Sequence, residues 1–142
     1  MRKLIVLLIG LFLLLASCKE DKKEVTIEQG MVMYESSEMA IMMRRLYEFN
    51  KANKALIINK DSLLPYPEEF LTIHTAVLTD PTERGGNFDS IAQQFLMYQK
   101  ATYASNRDST AYNFNQSINA CVSCHQTRCE GPIPKIKKLL IQ

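Results

Sequence analysis

Four side chains with thiol or metal-binding chemistry lie in the segment NACVSCHQTRC, at residues 119–129. Cys121, Cys124 and His125 fall at i, i+3 and i+4, so on a helix all three point to one side. Covalent haem attachment needs this arrangement, because two thiols add to the two vinyl groups while the adjacent histidine reaches the iron. The C-x-x-C-H spelling is the c-type attachment motif. The segment therefore predicts one covalent haem c, with Cys121 and Cys124 as thioethers and His125 as an iron ligand.

Two other chemistries use the same cysteines. Zinc would take Cys121, Cys124, His125 and Cys129 as a four-ligand set, but the adjacency of two ligands strains a tetrahedral site. A redox thiol pair usually lies at a helix N-terminus after a strand, where the dipole lowers the thiol pKa, whereas this pair comes late in a predicted helix. If haem uses two cysteines, Cys129 remains. It is then either a buried thiol near the haem edge or a bridge between two chains of a homodimer.

The N-terminal segment MRKLIVLLIGLFLLLASCKE has the charge layout of an export signal. Arg2 and Lys3 precede a short apolar run from Leu4 to Leu15, which falls below the ~20 residues that span a bilayer. The letters LASC resemble the lipobox of bacterial lipoproteins, and that resemblance implies lipid modification of Cys18. A plain secretory signal is the alternative.

This interpretation divides the chain into a signal peptide (1–17), a charged flexible tether (18–29) and a helical haem domain (30–142). We expect a cell-envelope lipoprotein that is held on a membrane through Cys18 and faces the periplasm or the surface. Lys19 occupies the position where Asp favours inner-membrane retention, so the outer membrane is favoured.

Charge and composition exclude several classes of function. The chain has a formal net charge of +2, and loss of Arg2 and Lys3 with the signal peptide makes it neutral, which gives no argument for nucleic acid. There is no catalytic triad, paired-carboxylate site, phosphate loop or nucleotide motif, so we do not expect an enzyme. The chain has no tryptophan and only 5 glycines and 5 prolines, which favours helices.

Helical periodicity recurs in four segments, and no alternating strand pattern is convincing. Ser36 or Ser37 is a suitable cap for the first helix, and Asp108 or Ser109 for the fourth. We expect an all-α, antiparallel four-helix bundle followed by a short basic-apolar tail. The predicted helices cover residues 28–60, 67–78, 87–106 and 107–126.

An attachment motif at the end of the last helix of an exported four-helix protein resembles the class II cytochromes c, the cytochrome c′ group. The resemblance covers roughly residues 30–130 as helix order and motif placement. It implies a helical bundle in which the first helix covers the distal haem face. The tail RCEGPIPKIKKLL departs from the usual ending of that group.

The resemblance directs attention to the methionines of the first helix, where a methionine would give low-spin, six-coordinate iron suited to electron transfer. Met43 is the first candidate, Met42 the second and Met39 the third, although methionine at helical spacing is also ordinary core filler. An apolar residue there would instead leave iron open to small gases.

Other polar residues have weaker predicted roles. Arg44 or Arg45 is a candidate partner for a haem propionate, because a guanidinium pairs well with a carboxylate. His74 fits a structural histidine better than a ligand. A redox partner is implied but not named, and the basic tail is either a solvated face or a docking patch for an acidic redox protein. The tail's cations are Lys135, Lys137 and Lys138.

Three functions remain open from the sequence. The favoured one is a monohaem c-type electron-transfer lipoprotein. The second is a gas-binding or gas-sensing haem protein with an open distal site. The third is a haem-free structural or zinc-binding envelope lipoprotein.

Overall fold

The computed structural model describes residues 35–142. The predicted signal peptide, the tether and Cys18 lie outside these residues. The described part is all-α, as predicted, and it contains no strand. No helix within it has the length and apolar content needed to cross a bilayer. Its helices are α1 (Glu38–Asn59), α2 (Phe88–Ala104), α3 (Arg107–Gln126) and α4 (Ile133–Lys137), with 3₁₀ segments at Glu68–His74 and Pro81–Arg84.

Helix α1 begins where one of the two predicted caps stands. The hydroxyl of Ser37 accepts a hydrogen bond from the backbone N–H of Ala40 at 3.1 Å, which satisfies one of the free donors of the first turn. The helix ends at Lys60, whose φ of 63° is left-handed and turns the chain away. The α1 side chains that are buried lie along one stripe: Met39, Met42, Leu46, Asn50 and Asn53.

The predicted second helix is shorter than expected and is 3₁₀ rather than α. It runs over Glu68–His74 after Pro67. The hydroxyl of Thr72 donates to the carbonyl of Glu69 at 2.7 Å, and that of Thr75 donates to the carbonyl of Thr72 at 3.2 Å. Threonine hydroxyls that bond to nearby carbonyls compete with the regular backbone pattern, and β-branched residues lower helix propensity further. At seven residues the segment is longer than most 3₁₀ runs, which seldom exceed about four residues.

Helices α2 and α3 form the closest helix pair, and α1 approaches them at fewer points. Helix α3 begins after Asn106, two to three residues before the predicted caps, and the Asn106 side chain accepts from the backbone N–H of Ser109 at 3.1 Å. The amide of Gln99 on α2 donates to Asn50 on α1 at 3.1 Å and to Ser117 on α3 at 3.0 Å. These buried bonds tie the three long helices together at one level.

The core consists of two apolar clusters. The larger one joins α1, α2 and the 3₁₀ segment around Leu46, Phe70 and Phe95. The smaller one joins α3 to the C-terminal segment through Phe114, Ile118, Ile136 and Leu139. Cys121 packs against both clusters, so the predicted attachment helix stands between them.

Candidate functional site

A cleft opens where α1 faces the α2–α3 pair. The space in it that admits a water-sized sphere is about 80 Å³, below the roughly 300–1,000 Å³ of small-molecule and cofactor sites, so a bound cofactor would require the walls to move apart. Apolar and sulfur-containing side chains make most of its walls. The C-x-x-C-H face of α3 lies on one side of this cleft, and methionines of α1 also line it.

The wall formed by α3 carries all three residues of the predicted attachment motif. Cys121, Cys124 and His125 line the cleft together, in the last turn and a half of a helix that ends at Gln126. Both thiols are free rather than joined in a disulfide. The helical spacing therefore places two thiols and one imidazole beside the same space, as the sequence predicts.

The ring of His125 is held by the chain that follows the helix. Its Nδ1 lies 2.9 Å from the carbonyl oxygen of Cys129 and 3.2 Å from the sulfur of the same residue. A carbonyl oxygen only accepts, so the hydrogen of this bond sits on Nδ1. The Nε2 atom of the neutral imidazole then keeps its lone pair, and this is the tautomer that ligates a metal through Nε2.

The cysteines are poor thiolates in this environment. Burial raises the pKa of Cys121 to about 12, and the neighbouring Cys124 adds to the effect. Burial also raises the pKa of Cys124, although the nearby Arg128 guanidinium opposes the shift. Cys129 is exposed, contrary to the expectation of a buried thiol, and partial desolvation of its sulfur is the main cause of its raised pKa. Redox thiol pairs depend on a lowered pKa, so these values disfavour a thioredoxin-like role.

The zinc hypothesis needs several ligands converging on one point. Within residues 35–142 no group of three or more His, Cys, Asp or Glu side chains is close enough together to hold a metal ion. His125 and Cys129 are in contact, but the imidazole nitrogen between them is Nδ1, which the Cys129 carbonyl already occupies.

Methionines of α1 also line the cleft. Met39 and Met43 are cleft residues and stand at i and i+4, followed by Leu46 at the next turn. Met42 is buried in the larger cluster and is not among the cleft residues. One helical step of about 100° separates neighbouring residues, so Met42 and Met43 cannot present the same face. The structure thus distinguishes the two leading candidates that the sequence suggests: Met43 lines the cleft, and Met42 does not.

The two arginines predicted to meet a propionate lie elsewhere. Arg44 and Arg45 are exposed and do not line the cleft. The Nη1 atom of Arg45 lies 2.7 Å from a carboxylate oxygen of Glu69, so it joins α1 to the 3₁₀ segment. His74 is likewise engaged in the fold, since its Nδ1 lies 3.1 Å from a carboxylate oxygen of Asp89.

Sequence reasoning missed the arginine that does line the cleft, Arg128. Its Nε donates to the carbonyl of Glu83 at 2.9 Å, and its Nη2 donates to the carbonyl of Gly85 at 3.1 Å. The guanidinium carbon also lies 5.4 Å from the ring centroid of Phe88, a cleft residue. The available signal was its position directly beyond the motif, within one turn of His125.

A second missed arginine supports the same edge of the cleft. Arg84 donates to the backbone carbonyls of His74 and Ala76, and its guanidinium carbon lies 4.9 Å from the Phe88 ring centroid. Arg84 and Arg128 thus fix the loop over residues 81–87 at the rim, one from within the loop and one from the end of α3.

Comparisons of the chain with protein-family models, with curated proteins and with solved structures gave no match. The functional interpretation therefore depends on the chemistry of the cleft: two thiols and one tautomer-fixed imidazole on α3, thioethers on α1, and apolar walls between them.

Proposed function

We propose that this chain is a monohaem c-type cytochrome of the cell envelope that transfers electrons and is anchored through lipid on Cys18. One observation carries the proposal: the C-x-x-C-H face of α3 and the Met39–Met43 face of α1 line the same apolar cleft. The placement supports haem attachment, because a C-x-x-C-H motif on the outer face of α3 would have no space beside it for a cofactor.

The residues present fit a haem. Two thiols separated by one helical turn match two vinyl groups, and the adjacent imidazole offers a nitrogen ligand. Ile73, Phe88 and Phe95 supply apolar walls for a flat macrocycle. Bound haem would supply one-electron iron chemistry, while the protein sets attachment, ligand identity and burial.

Each residue of the cleft has a distinct part in this proposal. Cys121 and Cys124 fix the group covalently and so prevent its loss. His125 ligates through Nε2, and its bond to the Cys129 carbonyl orients the ring and raises its basicity. The apolar walls exclude water, which disfavours the more highly charged state of the site.

On the side of α1, Met43 is the residue that we expect would supply a second iron ligand to a bound haem, with Met39 next. Met43 lines the cleft and is less deeply buried than Met39, so its thioether has more freedom to turn toward an iron without leaving a hole in the core. A methionine ligand raises the reduction potential relative to a second histidine, which suits an electron carrier. Met42 becomes the least favoured of the three, because it points into the core.

The bundle arrangement is part of the same proposal. Three long helices, α1, α2 and α3, would form the bundle, with the 3₁₀ segment at Glu68–His74 in the place of the predicted second helix. The link of two residues between α2 and α3 supports an antiparallel order for that pair, as in the class II cytochromes c that the sequence resembles, whereas α1 joins α2 through residues 60–87.

The experiment is an absorption spectrum of protein matured in a periplasm with a functioning haem-attachment system, oxidised and reduced, with an alkaline pyridine haemochrome. We expect a c-type haemochrome, a sharp low-spin reduced spectrum and a sulfur-to-iron charge-transfer band in the near infrared. A Cys121→Ala/Cys124→Ala variant made in the same way is the control and should carry no covalent haem.

Other outcomes would redirect the interpretation. Wild-type protein without covalent haem would overturn the proposal and favour a structural or zinc-binding envelope lipoprotein. Covalent haem with a high-spin spectrum and rapid stoichiometric carbon monoxide binding would retain the haem, remove the methionine ligand and favour gas binding.

A further inference from the structure

Helix α4 is attached to α1 through two lysines. The Nζ of Lys135 lies 4.0 Å from the ring centroid of Tyr47 on α1, a cation–π contact. The Nζ of Lys54, also on α1, donates to the carbonyls of Lys138 and Leu140 at 2.9 and 2.8 Å, so it satisfies free acceptors at the end of α4. The cations of α1 and α4 therefore belong to one surface.

The α1 part of this surface is a stripe. Arg44, Tyr47, Lys51 and Lys54 stand at i, i+3, i+7 and i+10, which is one side of a helix. Arg44 and Lys51 are exposed on it. The C-terminal residues 131–142 add three lysines and no acidic residue. The basic surface, as we call it, consists of Arg44, Lys51, Lys54, Lys135, Lys137 and Lys138.

Little negative charge offsets the basic surface. Glu48 lies 3.8 Å from Lys51, but both side chains are about two-thirds exposed (64% and 65%), and exposed pairs of this kind are weak. Lys137 and Lys138 are exposed beside two buried side chains, Ile136 of α4 and Leu139 just after it. The packing of α4 thus uses its apolar side and leaves charge facing water.

The basic surface adjoins the wall of the cleft that carries the attachment motif. Tyr47, which Lys135 covers, packs against the smaller core cluster together with Cys121 and Val122. Cys121 is at the same time a cleft residue. The smaller core cluster therefore contacts both Cys121 and the tyrosine beneath Lys135.

We propose that the basic surface docks an acidic face of a protein electron donor or acceptor. The inference rests on the proposed function, since one electron would pass between the partner and the haem of this chain, with no bond formed or broken. Opposite charges steer encounter and raise association rates, and the gain falls as salt is added. The local concentration of charge, rather than the near-neutral whole chain, would select the partner.

The test uses two small redox probes of opposite charge on the full, haem-loaded protein. The reduced protein is oxidised by ferricyanide, an anion, or by tris(phenanthroline)cobalt(III), a cation, in a stopped-flow instrument over a range of ionic strength. Lys138→Glu should slow oxidation by ferricyanide about two- to five-fold at low salt and should speed oxidation by the cobalt complex. The double variant Lys51→Glu/Lys138→Glu should show larger changes in both rates. The matched control is Lys100→Glu, an equal charge change on an exposed lysine of α2.

The outcomes separate the two proposals. The haemochrome of each preparation is recorded first, because absence of haem overturns the proposed function and the docking surface with it. If Lys138→Glu and Lys100→Glu both carry haem and change the oxidation rates equally, the docking role of the basic surface is overturned and the proposed function is not. Stronger loss of binding to phosphatidylglycerol vesicles in Lys138→Glu than in Lys100→Glu, with unchanged probe rates, would overturn it in favour of a membrane contact.

Discussion

The Nδ1 atom of His125 lies 2.9 Å from the carbonyl oxygen of Cys129, four residues further along the chain. The bond closes the end of α3 back onto its own last turn, and it engages a backbone atom that no substitution removes. The sulfur of Cys129 lies 3.2 Å from the same nitrogen, so the residue contacts the ring through two atoms of different chemistry.

We predict that Cys129→Ala keeps the covalent haem and the visible spectrum, because the carbonyl that holds His125 remains. Cys129 is exposed, so its truncation should change the free energy of unfolding by less than about 0.5 kcal/mol. The haemochrome and a urea titration are the measurements. Cys124→Ala is the contrasting variant: it should shift the haemochrome band to the position of a haem with one thioether.

The same variant tests whether Cys129 joins two chains. An exposed free thiol in an oxidising envelope is available for an intermolecular disulfide. A dimer on non-reducing electrophoresis that disappears in Cys129→Ala would assign the bridge. Loss of haem from Cys129→Ala would contradict the backbone argument and give the sulfur itself a role.

A single spectroscopic band should show which of the three methionines of α1 binds the iron. We predict that Met43→Ala abolishes the sulfur-to-iron charge-transfer band and opens the iron to carbon monoxide, with little loss of stability. Met42→Ala should keep the band but lower the free energy of unfolding by about 2–5 kcal/mol, because it leaves a hole in the larger cluster. Near-infrared spectra and urea titrations of both variants provide the measurements.

Met39→Ala completes this series. Met39 is 8% exposed and belongs both to the core and to the cleft wall, so it should cost stability without removing the band. Loss of the band in Met39→Ala together with its retention in Met43→Ala would reverse the assignment.

The sequence predicted the parts of the fold that local pattern controls. The cap at Ser37 and the common face of Cys121, Cys124 and His125 follow from capping and periodicity, and the structure agrees. The 3₁₀ segment was missed because threonine hydroxyls compete with the helix through bonds that a hydrophobic pattern does not contain. Thr72 and Thr75 make those bonds.

The rim of the cleft was beyond sequence reasoning for another reason. Arg128 is separated by about forty residues from the carbonyls of Glu83 and Gly85 that it binds, so only the packing of α3 on the 81–87 loop brings them together. Arg44 and Arg45 were chosen from a resemblance in helix order. The register of α1 instead turns them outward, since Met39, Met43 and Leu46 already occupy its inner face.

Arg128 should therefore contribute more to the free energy of unfolding than Arg45, although both arginines have hydrogen-bond partners. We predict that Arg128→Gln lowers the free energy of unfolding by about 1–3 kcal/mol, because it frees the Glu83 and Gly85 carbonyls and the ring of Phe88. Arg45→Gln removes an exposed ion pair and should cost at most about 1 kcal/mol. Urea titrations of the two variants test the order, and equal losses would contradict the clamping role of Arg128.

Tyr66 gives a prediction for alkaline pH. Burial, with a smaller effect of Tyr103, raises the pKa of the Tyr66 phenol from 10.0 to about 12. The unfolded chain loses this proton near pH 10 and the folded chain only near pH 12. The contribution of Tyr66 to stability is thus fully present below pH 10 and declines as pH rises from 10 to 12. We expect Tyr66→Phe to flatten the loss of stability over that interval.

At neutral pH the same substitution should be neutral or stabilising. Among the described residues the buried Tyr66 hydroxyl has no hydrogen-bond partner, so phenylalanine removes a desolvated polar group while its ring keeps the edge-to-face contacts with Phe49 and Phe70. Tyr112→Phe is the control, because Tyr112 is 62% exposed. Urea titrations at pH 7, 10 and 11.5 measure both effects. A loss of more than about 1 kcal/mol at pH 7 in Tyr66→Phe would show that the hydroxyl is bonded in solution.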